Sequence, residues 1–158
     1  MTRSILITGC SSGIGLASAR LMKERGWRVL ATARSAEDLA MLERDVGVTA
    51  LALDLANPAS IVEAANAALH LTDGRLTALF NNGAYGQVGA IEDLTPETLR
   101  RQMEVNLIGT HDLTRRLIPA MREQGEGRIV QCSSVLGFVS VPYRGAYCAS
   151  KYALEALS

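Results

Sequence analysis

A tyrosine and a lysine near the end of the sequence lie four positions apart, in Tyr147-Cys148-Ala149-Ser150-Lys151. Residues i and i+4 share one face of a helix, so a phenol and an ammonium group would lie side by side. A free tyrosine releases its proton only near pH ~10, and a neighbouring positive charge favours the phenolate. The pair could therefore carry general acid–base chemistry near neutral pH. The same spacing also occurs on exposed helices without a catalytic role, so its meaning depends on the residues around it.

Two serines, Ser133 and Ser134, follow the apolar run 128–132, which we predict to be a strand of a parallel sheet. Ligands bind at the carboxyl edge of such sheets, where the Ser134 hydroxyl could donate a hydrogen bond to a substrate carbonyl beside the tyrosine. The alternative is a serine nucleophile paired with Lys151 for acyl transfer. The Gly-x-Ser-x-Gly pattern that usually surrounds such a nucleophile does not occur here.

A glycine-rich segment, Thr8-Gly9-Cys10-Ser11-Ser12-Gly13-Ile14-Gly15, lies between a predicted strand and a predicted helix. Glycines permit positive φ angles and a close approach to a pyrophosphate, which backbone amides and the helix N-terminus then bind. The spacing differs from G-x-G-x-x-G, and no Lys-Ser or Lys-Thr follows to form a P-loop. We predict a nucleotide-binding turn, with a glycine turn that binds no ligand as the alternative. The predicted cofactor-binding residues of this turn are Gly9, Ser11, Ser12, Gly13, Ile14 and Gly15.

The residues that end the second predicted strand bear on the choice of dinucleotide. In dinucleotide-binding folds an acidic residue at this position binds the ribose 2′-hydroxyl, whereas a nearby arginine suits a 2′-phosphate. Here Ala33 occupies the acidic position and Arg34 follows it. A loop arginine is often merely solvated, but the lost acid and the gained base together favour NADP(H) over NAD(H).

Strands and helices alternate along the chain. Apolar β-rich runs predict strands at 4–8, 28–33, 49–53, 76–80 and 128–132, and N-caps predict helix starts at Ser35, Asn57 and Thr95. A final helix is predicted over 146–157, and Pro119 is expected to distort the long helix that follows Thr95 or to end it early. Continuously apolar strands indicate a parallel sheet covered on both faces. We predict a doubly wound, Rossmann-type α/β domain over residues 1–158 with strand order 3-2-1-4-5.

Composition restricts the class of protein. The 158 residues suffice for one compact domain but not for two. Apolar residues make up 48% and charged residues 20%, which excludes disordered, collagen-like and disulfide-scaffold classes. The 16 basic and 16 acidic side chains balance, so neither nucleic acid nor an anionic membrane is favoured as a partner. No apolar run reaches the ~20 residues of a membrane helix, and a signal-peptide pattern is absent, so we expect a cytoplasmic protein.

The cysteines and histidines show no spacing typical of a metal site. Cys10, Cys132 and Cys148 are odd in number and lack a Cys-x-x-Cys pattern, so we interpret them as thiols in a reducing compartment. His70 and His111 have no second ligand at a suitable spacing. We therefore predict no metal.

Four segments together resemble the short-chain dehydrogenase/reductase family. They are the glycine turn, Asn81-Asn82-Gly83-Ala84, Asn106, and Ser134 with Tyr147 and Lys151. The 13-residue interval between Ser134 and Tyr147 is also similar to that of the family. The family more often has Ala-Gly where this chain has Gly83-Ala84, but both residues are small, so we expect the close approach to the cofactor to survive. Residues 31–34 and 80–86 look like the branch of NADP-dependent aldehyde, ketone, retinol and hydroxysteroid reductases.

The resemblance implies that NADPH delivers hydride to a carbonyl carbon while Tyr147 acts as the general acid/base at its oxygen. Lys151 would bind the nicotinamide ribose, Ser134 would orient the carbonyl, and Asn106 would position water for a proton relay. Asp54 resembles the acid that contacts adenine, and Asn81 the residue beside the adenosine ribose. The remaining cofactor-binding residues that the resemblance implies are Leu55, Gly83, Tyr147 and Lys151.

Family members usually run longer than this chain, so the resemblance implies that the last two strands and the substrate lid lie outside it. Residues 153–158 also lack a helix stop signal, so we expect the natural chain to continue. The full-length protein would pair as a homodimer or homotetramer through two long helices, 100–121 and one starting near Ala146. The alternative function is a non-catalytic dinucleotide-binding sensor or scaffold, for which the complete Asn106, Ser134, Tyr147 and Lys151 set is not required.

Overall fold

In the computed structural model, which describes residues 2–158, one parallel sheet forms the centre of the molecule. Its strands are β1 (Ser4–Ile7), β2 (Arg28–Ala33), β3 (Thr49–Ala52), β4 (Ala78–Asn81) and β5 (Arg128–Gln131). Their order is β3-β2-β1-β4-β5, and every neighbouring pair is parallel. Central Ile5, for example, is in register with Val29 on one side and Ala78 on the other. The predicted doubly wound α/β fold and its strand order are confirmed.

Helices cover both faces of the sheet, and three of them begin at the predicted caps. They are α1 (Gly13–Glu24), α2 (Ala36–Met41), α3 (Pro58–Leu71), α4 (Pro96–Met103), α5 (Thr110–Glu123) and α6 (Gly145–Leu157). At the three predicted caps, Ser35 Oγ accepts from the amide of Asp38 (3.1 Å), Asn57 Oδ1 from that of Ala59 (3.0 Å) and Thr95 Oγ1 from that of Thr98 (3.3 Å). Each cap satisfies an amide that the first helical turn leaves without a partner.

The strands send alternate side chains into two separate apolar layers. Leu6 of β1 packs in the layer formed with α3 and α5, whereas Ile5 and Ile7 pack in the layer formed with α1 and the segment after α2. This division follows from the two-residue period of a strand. All of β1 is buried, so the loops that follow its carboxyl end start from a rigid centre.

Strand β4 begins two residues later than the sequence predicts. Residues Ser4 and Thr77 exchange hydrogen bonds through their hydroxyls: each backbone amide donates to the other's side-chain oxygen, at 3.2 Å. Side-chain oxygens thus replace backbone carbonyls as acceptors at this point, and the regular ladder starts at Ala78.

The long helix after Thr95 consists of α4, a π-helical turn over Glu104–Gly109, and α5. Of the two outcomes expected for Pro119, a distorted helix or an early end, the early end is wrong, because α5 continues to Glu123. Pro119 lies on the exposed face of the helix, where water can bind the carbonyl that a proline leaves without its amide partner. The change in helical period lies upstream, at the π-helical turn that contains Asn106.

Strand β5 lies at one edge of the sheet and is less buried than its apolar sequence predicts. Ile129 is 38% and Val130 54% exposed in the described part of the chain.

Among residues 2–158, no helix has both the length and the apolar character needed to cross a membrane.

Candidate active site

A cavity of about 790 Å³ opens at the carboxyl edge of the sheet. The segments that follow β1, β2, β3 and β4 all contribute to its wall, as expected for a ligand site in an open parallel sheet. The predicted cofactor-binding residues that line it are Gly9, Ser11, Ser12, Ile14, Arg34, Asp54, Leu55 and Gly83.

The turn after β1 requires glycine at two points. Gly9 has a φ of +69°, and a Cβ at this residue would lie 2.9 Å from Gly83 Cα. A Cβ at Gly15 would overlap the carbonyl oxygen of Gly9 and approach Asn82 Nδ2 to 2.7 Å. The turn is therefore packed closely against the start of its own helix and against the segment after β4, and the Cys10 amide donates to the carbonyl oxygen of Thr32 at 2.8 Å.

Thr8 and Asn82 tie the glycine turn to the segment after β4. Thr8 Oγ1 accepts from the backbone amides of Asn82 (2.9 Å) and Gly83 (2.7 Å). In return, Asn82 Nδ2 donates to the carbonyl oxygens of Thr8 (3.0 Å) and Gly9 (3.1 Å). Neither residue was predicted as a site residue. Each is a polar residue directly after the carboxyl end of a strand, and this position could have indicated a place in the site.

Three charged side chains line the cavity. Arg34 follows β2, and Arg101 belongs to α4 and was not predicted as a site residue. The third is Asp54, whose Oδ1 accepts from the amide of Ala56 at 2.9 Å, which holds the carboxylate against its own loop. Two guanidinium groups together with a glycine turn suit an anionic ligand.

Several predicted cofactor-binding residues lie outside the lining of this cavity, among them Tyr147 and Lys151. Gly13 and Gly15 shape the turn rather than face the cavity. Asn81 is only 4% exposed, and its Nδ2 donates to Thr114 Oγ1 of α5 at 2.8 Å. The side chain of Asn81 is therefore directed at α5.

The predicted catalytic lysine and tyrosine lie together on α6. Lys151 is 3% exposed, its Nζ donates to the carbonyl oxygen of Cys132 at 2.6 Å, and it lies 5.7 Å from the centroid of the Tyr147 ring. Burial lowers the pKa of Lys151 below its usual value of 10.5. The cysteine carbonyl thus holds an ammonium group at the junction of β5 and α6, beside the phenol.

Ser134 lies on a short 3₁₀ turn, Val135–Gly137, that packs against α6. Its Oγ accepts from the amide of Leu136 at 3.1 Å, which caps the turn and leaves the hydroxyl hydrogen free to donate elsewhere. A Cβ at Gly137 would lie 3.2 Å from the carbonyl oxygen of Lys151. The serine is therefore carried on a turn fixed to the helix of the tyrosine and the lysine.

Asn106 is 1% exposed and links three elements. Its Oδ1 accepts from the amide of Tyr85 (3.1 Å), and its Nδ2 donates to the carbonyl oxygen of Tyr85 (2.9 Å) and to Ser150 Oγ (3.0 Å). Ser150 Oγ in turn donates to the carbonyl oxygen of Tyr147 at 2.8 Å. Both side-chain amide hydrogens of Asn106 are therefore engaged. A relay water at Asn106 would have to bond to one of the carbonyl oxygens of this residue.

The Gly15→Ala variant is expected to bind a dinucleotide at least about 10-fold more weakly and to unfold more easily, because overpacking at a rigid backbone contact costs ~1–3 kcal/mol. The added methyl group meets the backbone of Gly9, which is not free to move away. Fluorescence titration with NADPH and thermal unfolding measure the two effects. Gly145→Ala is the matched control, since a Cβ there meets nothing within 4 Å. Equal affinities in the two variants would contradict the packing argument.

The sequence matches a known protein family, and known proteins within it, along nearly all of its length. The model of the family described as "short chain dehydrogenase" matches residues 3–158. The chain is 48% identical over 158 residues to "Uncharacterized oxidoreductase YbbO" from Escherichia coli K12, covering 100% of this chain and 58% of that protein.

Two solved structures share the fold and significant sequence identity. A short-chain dehydrogenase from Streptomyces avermitilis superimposes with a TM-score of 0.93 at 39% identity, over 99% of this chain and 58% of that one. A variant of actinorhodin polyketide ketoreductase with NADPH gives a TM-score of 0.92 at 31% identity, over 99% of this chain and 62% of that one. The chain thus spans less than two thirds of each of these proteins.

Proposed function

The chain belongs to the short-chain dehydrogenase family, and on that premise we propose that it serves as an NADP(H)-dependent oxidoreductase that interconverts a small carbonyl compound and its alcohol. The observation that carries the proposal is a cavity built from the glycine turn, Arg34 and Asp54, at the same sheet edge as the helix that holds Tyr147 and Lys151. Family membership supports dinucleotide-dependent oxidoreduction. The choice of NADP(H) and the catalytic roles are our proposal.

The residues present fit a dinucleotide. Gly9 and Gly15 keep the glycine turn free of side chains at its closest contacts, and the turn and the N-terminus of α1 would bind the pyrophosphate through backbone amides. In this proposal Ser11 and Ser12 lie beside the phosphates, and Arg34 binds the 2′-phosphate. Asp54, Leu55 and Gly83 enclose the adenosine, with Asn81 packed behind them. The nicotinamide supplies or accepts hydride when bound, and the NADPH in the ketoreductase neighbour supports the choice of nucleotide.

In the direction of reduction, Tyr147 Oη gives its proton to the carbonyl oxygen as hydride arrives at the carbonyl carbon. The ammonium of Lys151 favours the resulting phenolate and also binds the nicotinamide ribose. Ser134 Oγ donates to the same carbonyl oxygen and holds it in place. Asn106 keeps α6 in register with the segment after β4 through Tyr85 and Ser150, and a relay water at its carbonyl oxygens would return the proton to the phenolate.

The substrate in this proposal is a small aldehyde, ketone or alcohol, and the subunits assemble as a homodimer or homotetramer through the long helix ending in α5 and through α6. Full-length protein that transfers hydride from NADPH to an activated aldehyde would support the first part, and light scattering of the same full-length material tests the second. Binding of NADPH without hydride transfer would instead support a non-catalytic sensor or scaffold.

The double variant Ala33→Asp with Arg34→Leu is expected to reverse the nucleotide preference. Removing a charge-assisted hydrogen bond costs ~1.5–3 kcal/mol, so affinity for NADPH should fall about 10- to 100-fold. Affinity for NADH should rise, because the new carboxylate can accept from the ribose 2′-hydroxyl. Titration with both nucleotides measures the preference, and Arg44→Leu, whose arginine pairs with exposed Asp45, is the control. Unmodified protein that binds NADH more tightly than NADPH would overturn the role of Arg34.

A further inference from the structure

The backbone segment Tyr85-Gly86-Gln87, which follows β4, has an unusual source of hydrogen bonds. Gln102 of α4 is fully buried, at 0% exposure. Its Nε2 donates to the carbonyl oxygen of Tyr85 (3.0 Å), and its Oε1 accepts from the amide of Gln87 (2.7 Å). One side-chain amide thus bonds to this segment as a neighbouring strand would, with one donor and one acceptor.

The bonds of Gln102 and Asn106 meet on the same residue. The carbonyl oxygen of Tyr85 accepts from Gln102 Nε2 and from Asn106 Nδ2, at 3.0 and 2.9 Å. Gln102 lies one helical turn before Asn106, at the end of α4, where the π-helical turn begins. Two buried amides therefore fix the position of the segment relative to this helix.

The segment held by these amides packs against the proposed catalytic tyrosine. A Cβ at Gly86 would lie 3.4 Å from Tyr147 Cδ2 and 3.7 Å from Tyr147 Cγ. The two carbons belong to the phenol ring, so the ring lies directly beside the space that a side chain at residue 86 would occupy. A shift of this segment toward or away from α6 would change where the ring can lie.

We propose that Gln102 is a positioning residue for Tyr147, acting through the backbone of residues 85–87 without touching substrate or cofactor. This inference rests on the proposed function for its catalytic consequence, but its structural part does not depend on turnover. Without the Gln102 amide, the amide of Gln87 loses its acceptor, and the segment must move to find another partner. Displacement of a catalytic group by ~1 Å can lower a rate about 100-fold.

The test compares Gln102→Met with Gln124→Met. Methionine keeps the length of the side chain and removes its hydrogen bonds. Gln124 is the control because its half-buried side-chain amide also bonds to backbone: its Nε2 donates to the carbonyl oxygens of Leu76 (2.7 Å) and Glu126 (2.5 Å), near the amino ends of β4 and β5 and away from α6. Both variants should lose stability, so a purely structural role predicts the same behaviour for both.

Three readouts separate positioning from stability. In Gln102→Met we expect hydrogen exchange at the Gln87 amide to rise at least about 10-fold and the NMR signal of the Tyr147 ring to shift. We also expect kcat for aldehyde reduction to fall about 10- to 100-fold, and to fall by more than the affinity for NADPH does, since Gln102 does not line the cavity and Tyr85 is the one residue of the segment that does. Gln124→Met should show none of these changes.

An unchanged Tyr147 signal in Gln102→Met, or a kcat equal to that of Gln124→Met, would overturn the proposal. If Gln102→Met does not fold, Gln102→Glu replaces it: the carboxylate keeps an acceptor for Gln87 but has no hydrogen for Tyr85, and the ring signal should still shift. An unmodified protein that reduces no carbonyl would contradict the proposed function, whereas hydrogen exchange and the ring signal would still decide the structural role of Gln102.

Discussion

The Tyr147→Phe variant is expected to reduce carbonyl substrates ~10²–10⁴-fold more slowly, which is the usual contribution of a general acid/base. The substitution removes one oxygen and leaves the ring against Gly86 unchanged. Affinity for NADPH should stay within about 3-fold, because the ring and the charge of Lys151 both remain. Single-turnover oxidation of NADPH by an activated aldehyde measures hydride transfer directly.

Tyr152→Phe is the matched control for this experiment. Tyr152 belongs to the same helix but is 43% exposed, so loss of its hydroxyl should leave both rate and affinity unchanged. Near-normal hydride transfer in Tyr147→Phe around neutral pH would show that another acid operates, and the assignment of Tyr147 would be withdrawn.

The Lys151→Met variant is expected to lose both nucleotide affinity and turnover. A charge-assisted hydrogen bond to the ribose contributes ~1.5–3 kcal/mol, so the Kd for NADPH should rise about 10- to 100-fold. Hydride transfer should fall further than binding alone explains, because the ammonium 5.7 Å from the Tyr147 ring centroid is also gone. Nucleotide titration and single-turnover kinetics measure the two losses separately.

Lys23→Met is the control for Lys151→Met. Lys23 Nζ donates to the carbonyl oxygen of Val46 at 2.6 Å, the same kind of bond that Lys151 makes to Cys132, but away from the cavity. It should lose stability without losing affinity. Similar Kd values for the two lysine variants would contradict a cofactor role for Lys151.

The lowered pKa of Lys151 also predicts a dependence of stability on pH. In the folded protein burial holds this pKa below 10.5, so between the folded pKa and 10.5 the unfolded chain binds more protons than the folded one. The free energy of unfolding contributed by this residue therefore rises with pH through that range and is lost as pH falls through the folded pKa. Denaturant unfolding at several alkaline pH values should show a steeper rise in the unmodified protein than in Lys151→Met, and identical slopes would contradict it.

Sequence patterns correctly predicted those structural features that depend on residues close together in the chain. The cap residues Ser35, Asn57 and Thr95 start their helices as predicted, because the capping bond spans only two or three residues. The glycine turn and the i, i+4 spacing of Tyr147 and Lys151 are local in the same sense. Strand order followed from right-handed crossovers between βα units, which is a general rule rather than a property of particular side chains.

The missed residues depend on contacts between distant parts of the chain. Thr8 and Asn82 bond to each other across 74 positions, and the role of Gln102 depends on a loop segment 15 to 17 positions away. A glutamine in an amphipathic helix has the same sequence signature whether water or a loop backbone satisfies its amide. Pro119 shows the converse: its local rule predicts a helix end, but exposure of that helix face allows the helix to continue.

The central position of β1 has a consequence for folding during synthesis. Ser4 and Thr77 exchange their hydrogen bonds across 73 positions, and the glycine turn after β1 packs against Asn82 and Gly83. Until β4 has left the ribosome, β1 can pair only with β2, and its other edge stays open. The glycine turn is thus synthesised well before the segment it packs against, and it reaches its final shape only after β4, Asn82 and Gly83 have been made.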